Sequence, residues 1–96
     1  MEDDLRIEHE LHGSHGRYVV TIDGRASELT YARLGERMVI NHTYVPPALR
    51  NRGIALALVT RAVEDARAQG QKIVPVCSYA RAEITAHAEW HDVLAS

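Results

Sequence analysis

Phenylalanine is absent from this 96-residue chain, and the aromatic content is four tyrosines and one tryptophan. A core built this way leans on aliphatic side chains, with Tyr31 and Trp90 expected inside it. A single cysteine, Cys77, excludes an intramolecular disulfide. No apolar run approaches the ~20 residues of a bilayer span. The opening Met1-Glu2-Asp3-Asp4 is acidic with no apolar stretch behind it, unlike a secretory leader. The expected location is therefore the reducing cytoplasm, away from membranes. A positive excess is also missing: the net charge is −2, against a general nucleic-acid binder and in favour of a small-molecule partner. With 46% hydrophobic and 25% charged residues, the composition is that of a globular protein. A chain this short buries only about two-thirds of its unfolded surface, so one domain over residues 1–96, working as a monomer, is expected.

What is present changes character halfway along. Residues 5–12 alternate, with Leu5, Ile7, His9 and Leu11 against Arg6, Glu8, Glu10 and His12, the pattern of a half-buried strand. After Gly13-Ser14-His15-Gly16, residues 17–22 form a second strand rich in β-branched and aromatic residues. Asp23-Gly24 is a strong hairpin signal. Strands over 26–34 and 37–43 come next, separated by Gly35-Glu36, which completes an antiparallel meander. From Ile54 the period shifts from about two to about 3.6. Ile54, Ala55, Leu58, Val59, Ala62, Val63 and Ala66 make one apolar stripe, Arg61, Glu64, Asp65, Arg67 and Ala68 face away, and Gly70 ends the helix. Residues 72–77 read as a short covered strand. Ser78 is placed to cap a helix start, and residues 79–94 read as one or two short helices, with Ile84, Ala88 and Trp90 inward.

The chain turns on Val45-Pro46-Pro47-Ala48-Leu49-Arg50-Asn51-Arg52-Gly53-Ile54-Ala55. The prolines stop the preceding strand, and Gly53 opens the helix. A helix start leaves about four N–H groups without intrahelical partners and carries roughly half a positive charge, so it suits an anion. Arg50 and Arg52 strengthen that field, which predicts a pyrophosphate-binding loop. The segment from the fourth strand through the helix to the fifth is long enough for a right-handed parallel crossover. Such a crossover lays the carboxyl ends of strands four and five side by side, bringing His42, Cys77 and the Gly53 turn to one edge, where open α/β sheets bind ligands. Pro75 predicts that the two strands part there.

Arg50-Asn51-Arg52-Gly53-Ile54-Ala55 resembles the R/Q-x-x-G-x-G/A signature of the GNAT superfamily of N-acetyltransferases. Tyr31, His42-Thr43, Val45-Pro46, Arg52-Gly53-Ile54-Ala55, Lys72-Ile73-Val74-Pro75 and Cys77-Ser78-Tyr79 together resemble the minimal, roughly hundred-residue members of that superfamily. The resemblance implies an α/β (α+β) GNAT-like fold and a transferase that uses acetyl-CoA. It places the CoA pyrophosphate on Arg50, Asn51, Arg52, Gly53, Ile54 and Ala55, with Val45 on the approach and the pantetheine arm between strands four and five. It marks His42 and Cys77 as the catalytic residues, and the acceptor is an amine of a small molecule or an exposed protein lysine. Asn51 stands where glycine is common, which a left-handed Asn tolerates. The final strand–helix segment of larger relatives has no counterpart, so acceptor specificity does not carry over.

Each candidate also has a plainer reading. His42 is either a hydrogen-bonded strand histidine or a general base, since an imidazole titrates near pH ~6.5. Cys77 is either an inert buried thiol or one activated by the helix start beside it. As a nucleophile it carries the acetyl group in transit; in the preferred alternative the amine attacks the thioester directly and Cys77 only lines the site. Tyr79 is read as packing, with protonation of the leaving thiolate as its other role. No metal is expected: His9 and His12 fall on opposite faces of a strand, and His87 and His91, although one helix turn apart, lack further ligands. A non-catalytic CoA- or acyl-CoA-binding module, or an interaction domain that uses only the scaffold, are the rival functions.

Overall fold

The computed structural model describes residues 5–95. Strands β1 (Glu8–His12), β2 (His15–Ile22), β3 (Arg25–Leu34), β4 (Arg37–Tyr44) and β5 (Lys72–Pro75) form one sheet in that order. The first four pair antiparallel, and β5 joins β4 in parallel. This is the mixed sheet expected from the meander and the crossover. Asp23 and Gly24 both have positive φ, at 53° and 76°, the primed hairpin geometry that matches the twist of paired strands.

Strand alternation sorts the sheet into two faces. Tyr18, Val20, Leu29, Tyr31, Met38, Ile40 and Ile73 point to one side and are essentially buried. Helices α1 (Ile54–Ala68) and α2 (Ser78–Ala86) pack on that side in one core with them. The other face carries no helix among the described residues. In α1, Ile54, Leu58, Val59, Ala62, Val63 and Ala66 are buried as the 3.6 period predicts, whereas Ala55 is only half-buried. Gly70, at φ 69°, ends the helix: its N–H reaches the Arg67 carbonyl at 3.3 Å and the Gln71 N–H reaches the Ala66 carbonyl at 2.8 Å, the paired closure of a Schellman motif.

Several boundaries move. β1 starts at Glu8, and Leu11, expected inward, is 56% exposed, because it pairs with Gly16, which offers no side chain to pack on. β5 ends at Pro75, two residues short of the expected limit. Cys77 is the N-cap of α2, and no side chain, Ser78 included, caps that helix. Ala88 is exposed, while Ile84, Trp90 and Val93 are buried. α2 stops at Ala86, so His87 and His91 do not share a helix face. After the 3-10 turn Ala88–Val93, Leu94 bridges Ile73 in parallel and the Ala95 N–H donates to the Ile73 carbonyl at 2.9 Å. The tail thus closes the edge of β5 that would otherwise offer unpaired backbone groups. Among the described residues no helix is long and apolar enough to cross a membrane.

Candidate active site

The site begins with an irregularity in β4. The register passes from Thr30↔His42 to Tyr31↔Ile40, so Asn41 is an extra residue, a β-bulge. The Thr30 hydroxyl lies 2.6 Å from Asn41 Oδ1. Ile40 points into the core; in a regular strand His42 would point the same way. The bulge reverses the parity. His42 joins Thr30 on the open face, and Thr43, opposite Leu29, points to the helical side.

The parallel pairing also ends at the bulge. β4 and β5 match only from Arg37↔Lys72 to Ile40↔Pro75. The N–H groups of Val76 and Cys77 then both donate to the Ile40 carbonyl, at 3.0 and 2.9 Å, as the chain turns off into α2. Beyond that point Asn41–Tyr44 have no partner strand on the β5 side among the described residues. The parting anticipated from Pro75 is present, and it opens beside the start of α1.

A cleft of about 400 Å³ occupies this region. Val45, Arg50, Asn51, Gly53, Ile54 and Ala55 line it, together with Thr43, Tyr44, Leu49, Leu56 and Tyr79. Gly53 is the N-cap of α1 in a left-handed conformation at φ 77°, no side chain caps the helix, and its first turn holds no acidic residue. Asn51 also adopts a positive φ of 65°, the conformation that allows Asn in place of glycine. The helix start is thus left to attract an anion. Arg50 Nε donates to the Val45 carbonyl at 3.0 Å, which ties the loop to the end of β4. Tyr44 and Leu56 are large, solvent-exposed apolar surfaces on the cleft wall. Arg52 turns elsewhere and lines a neighbouring hollow with Arg6 and Thr21.

His42 and Cys77 do not meet. The Cys77 sulfur lies 3.5 Å from the Thr43 hydroxyl, on the helical side of β4, whereas the preceding residue His42 faces the open side. Burial alone raises the Cys77 thiol, but hydrogen bonds from the Thr43 side chain and from the N–H groups of Ala80, Tyr79 and Thr43 outweigh it and hold the thiol below its ordinary pKa. The activating groups are the Thr43 hydroxyl and helix and strand amides rather than an imidazole. Tyr79, in the cleft, is pushed up to about 12 by burial and then by the Glu83 carboxylate. At neutral pH it is a protonated phenol facing the cleft.

A second polar group lies deeper and was invisible in the sequence pattern. The Tyr18 hydroxyl donates to Asp65 Oδ2 at 2.7 Å, His9 stacks on Tyr18 at 4.2 Å, and His9 Nε2 lies 2.7 Å from the Tyr31 hydroxyl. Asp65, expected to face away, instead reaches back to the sheet. Tyr31 lies over Gly16, where an added Cβ would sit 2.1 Å from its ring. The glycine is there for that ring.

With this geometry in place, a family model described as GCN5-related N-acetyl-transferase matches residues 17–93. The chain belongs to the GCN5-related N-acetyltransferase family. The match spans the bulge, the cleft, Cys77 and Tyr79, and family membership assigns acetyl transfer as the general chemistry. A solution structure of a GCN5-like N-acetyltransferase candidate from Staphylococcus aureus is similar in fold, with TM-score 0.72 and 25% identity over 93% of this chain and 88% of that one. No curated protein matches the chain.

Proposed function

We propose that this GCN5-related protein is a cytoplasmic acetyl-CoA-dependent N-acetyltransferase acting on an amine of a small molecule or of an exposed protein lysine. One observation carries the reading: the uncapped, acid-free start of α1 opens into a cleft that runs along the unpaired end of β4. The N–H groups around Asn51, Gly53, Ile54 and Ala55 would hold the pyrophosphate, aided by Arg50. The pantetheine arm would lie along Thr43–Val45, against Leu49, Ile54 and Leu56. Arg52, from its neighbouring hollow, contributes charge rather than contact.

Direct attack is the preferred route. His42 takes a proton from the substrate ammonium, the freed nitrogen lone pair forms the C–N bond at the thioester carbonyl, and the C–S bond breaks. The nitrogen's second proton passes to the departing thiolate, with Tyr79 as the phenol at hand, and His42 returns its proton to solvent. The placement of His42 on the open face allows the amine to arrive from the side opposite Cys77. In the covalent alternative Cys77, activated by its amide donors, carries the acetyl group first.

Calorimetric titration with acetyl-CoA and with CoA tests the binding half; no heat with either at millimolar concentration overturns the proposal. Intact-mass measurement after incubation with acetyl-CoA tests the route. An acetyl group on Cys77 that is lost when amine is added establishes the covalent path, whereas turnover that survives Cys77→Ala with no adduct excludes it. The rival reading, a non-catalytic CoA-binding module, draws on the closure of β5 by Leu94 and Ala95, which leaves no further strand among the described residues to shape an acceptor pocket. Tight CoA binding without acetylation of any of a panel of primary amines would favour that rival.

A further inference from the structure

On the open face of the sheet, Glu10, Arg17, Glu28 and His42 form a chain across β1, β2, β3 and β4. Their order is set by the register: Glu10 pairs with Arg17, Arg17 with Thr30, and Thr30 with His42, while Glu28 stands two residues before Thr30 on the same face. Arg17 Nε donates to Glu28 Oε1 at 2.6 Å, and Arg17 Nη1 donates to Glu10 Oε1 at 3.0 Å. One oxygen of the Glu28 carboxylate is thereby fixed by a guanidinium that is itself fixed from the far side. The other, Oε2, lies 3.2 Å from His42 Nε2. Tyr44 lies parallel to the imidazole, 5° between planes and 6.5 Å between centroids.

We propose that Glu28 is a positioning residue for His42: the negative charge of its Oε2, 3.2 Å from Nε2, favours the proton on that nitrogen, which leaves Nδ1 as the unprotonated nitrogen that receives the substrate's proton. This rests on the reading of His42 as the general base. An exposed imidazole free of such a partner divides between two tautomers and rotates about its side-chain bonds. A fixed carboxylate beside one nitrogen restricts both freedoms. Arg17 and Glu10 belong to the same device, because without them the Glu28 carboxylate is as mobile as any half-buried side chain. The bulge at Asn41 is its precondition, since a regular β4 would turn His42 to the helical face and away from Glu28. A purely structural ion pair at this exposure adds little to stability and leaves catalysis untouched, so the two roles separate experimentally.

The test uses the full chain and two variants, Glu28→Gln and His42→Ala, each checked by circular dichroism for an unchanged fold. Nitrogen-15 NMR of the His42 ring reads the tautomer without any acceptor amine. A predominant Nε2–H tautomer in the wild type that becomes a mixture in Glu28→Gln is expected. The same tautomer population in both overturns the proposal, whatever the activity proves to be. In turnover, Glu28→Gln is expected to lower kcat about tenfold or more with KM for acetyl-CoA unchanged, the signature of a group acting on the proton-transfer step. Partial recovery in Glu28→Asp supports it further. Wild-type kcat in Glu28→Gln beside a collapsed kcat in His42→Ala refutes the positioning role and leaves the base assignment standing; wild-type kcat in His42→Ala refutes both.

Discussion

Strand β4 behaves as two different pieces of structure on either side of Asn41. From Arg37 to Ile40 it is paired on both edges, with β3 on one side and β5 on the other, and Met38 and Ile40 are fully enclosed. From Asn41 to Tyr44 it keeps only β3, and its side chains pass to a charged open face and to a cleft wall. The first half holds the fold together. The second offers unsatisfied groups and exposed apolar surface, which weakens it as scaffold and suits it to a ligand. One residue separates the two regimes, because an added residue in a strand reverses its faces and bends it away from its neighbour.

On this division, changes below the bulge should cost stability and changes above it should cost binding. Ile40→Ala removes a fully buried side chain between two paired strands and is expected to destabilise by about 2–5 kcal/mol, read by urea denaturation. Its acetyl-CoA affinity should stay near wild type wherever the protein remains folded, and a large affinity loss with small destabilisation would break the comparison. Next in size is Gly53→Val at the mouth of the cleft. An added Cβ meets nothing within 4 Å in the protein, so the fold suffers only the strain of a branched residue at positive φ, about 1–2 kcal/mol. Affinity should fall about tenfold or more, equivalent to about 1.4 kcal/mol or above, because the side chain enters the space proposed for the anion. Unchanged affinity removes the loop from the site.

The smallest expected effect concerns His9. Burial lowers its pKa from 6.5, partly offset by Asp65 and reinforced by Arg61. Below the unfolded pKa the unfolded chain binds more protons than the folded one, so stability rises with pH and is lost as pH falls from about 6.5 toward the lower folded value. Urea midpoints measured across that window should decline on acidification, and the decline should flatten in His9→Gln. Because His9 lies on β1, away from the residues that line the cleft, CoA affinity should not track that slope; a parallel loss of affinity would blur the division.

Much of this was legible beforehand. Alternation placed the meander, the 3.6 period placed α1 to within a residue or two, and Gly70 marked its end. The proline pair, Gly53 and Pro75 announced a loop, a helix start and a parting of strands. Asn41 was harder to read: a polar residue of low strand propensity is a weak hint of a bulge, and in a strand without the bulge His42 and Cys77 would converge. Asp65 looked like one more solvated charge on the outer face of α1, because nothing local says that Tyr18 on β2 will meet it. Gly16 gave no sign that it makes room for Tyr31, since that demand comes from the neighbouring strand.

The sequence by itself determined the elements, their order, the parallel crossover and the anion-receptive turn, because periodicity, turn chemistry and proline geometry act over a few residues. Tertiary structure alone decided which face His42 takes, which carboxylate stands beside it, and which donors surround Cys77. Those relations depend on register between strands and on the angle at which helices leave the sheet, and a single inserted residue is enough to invert them.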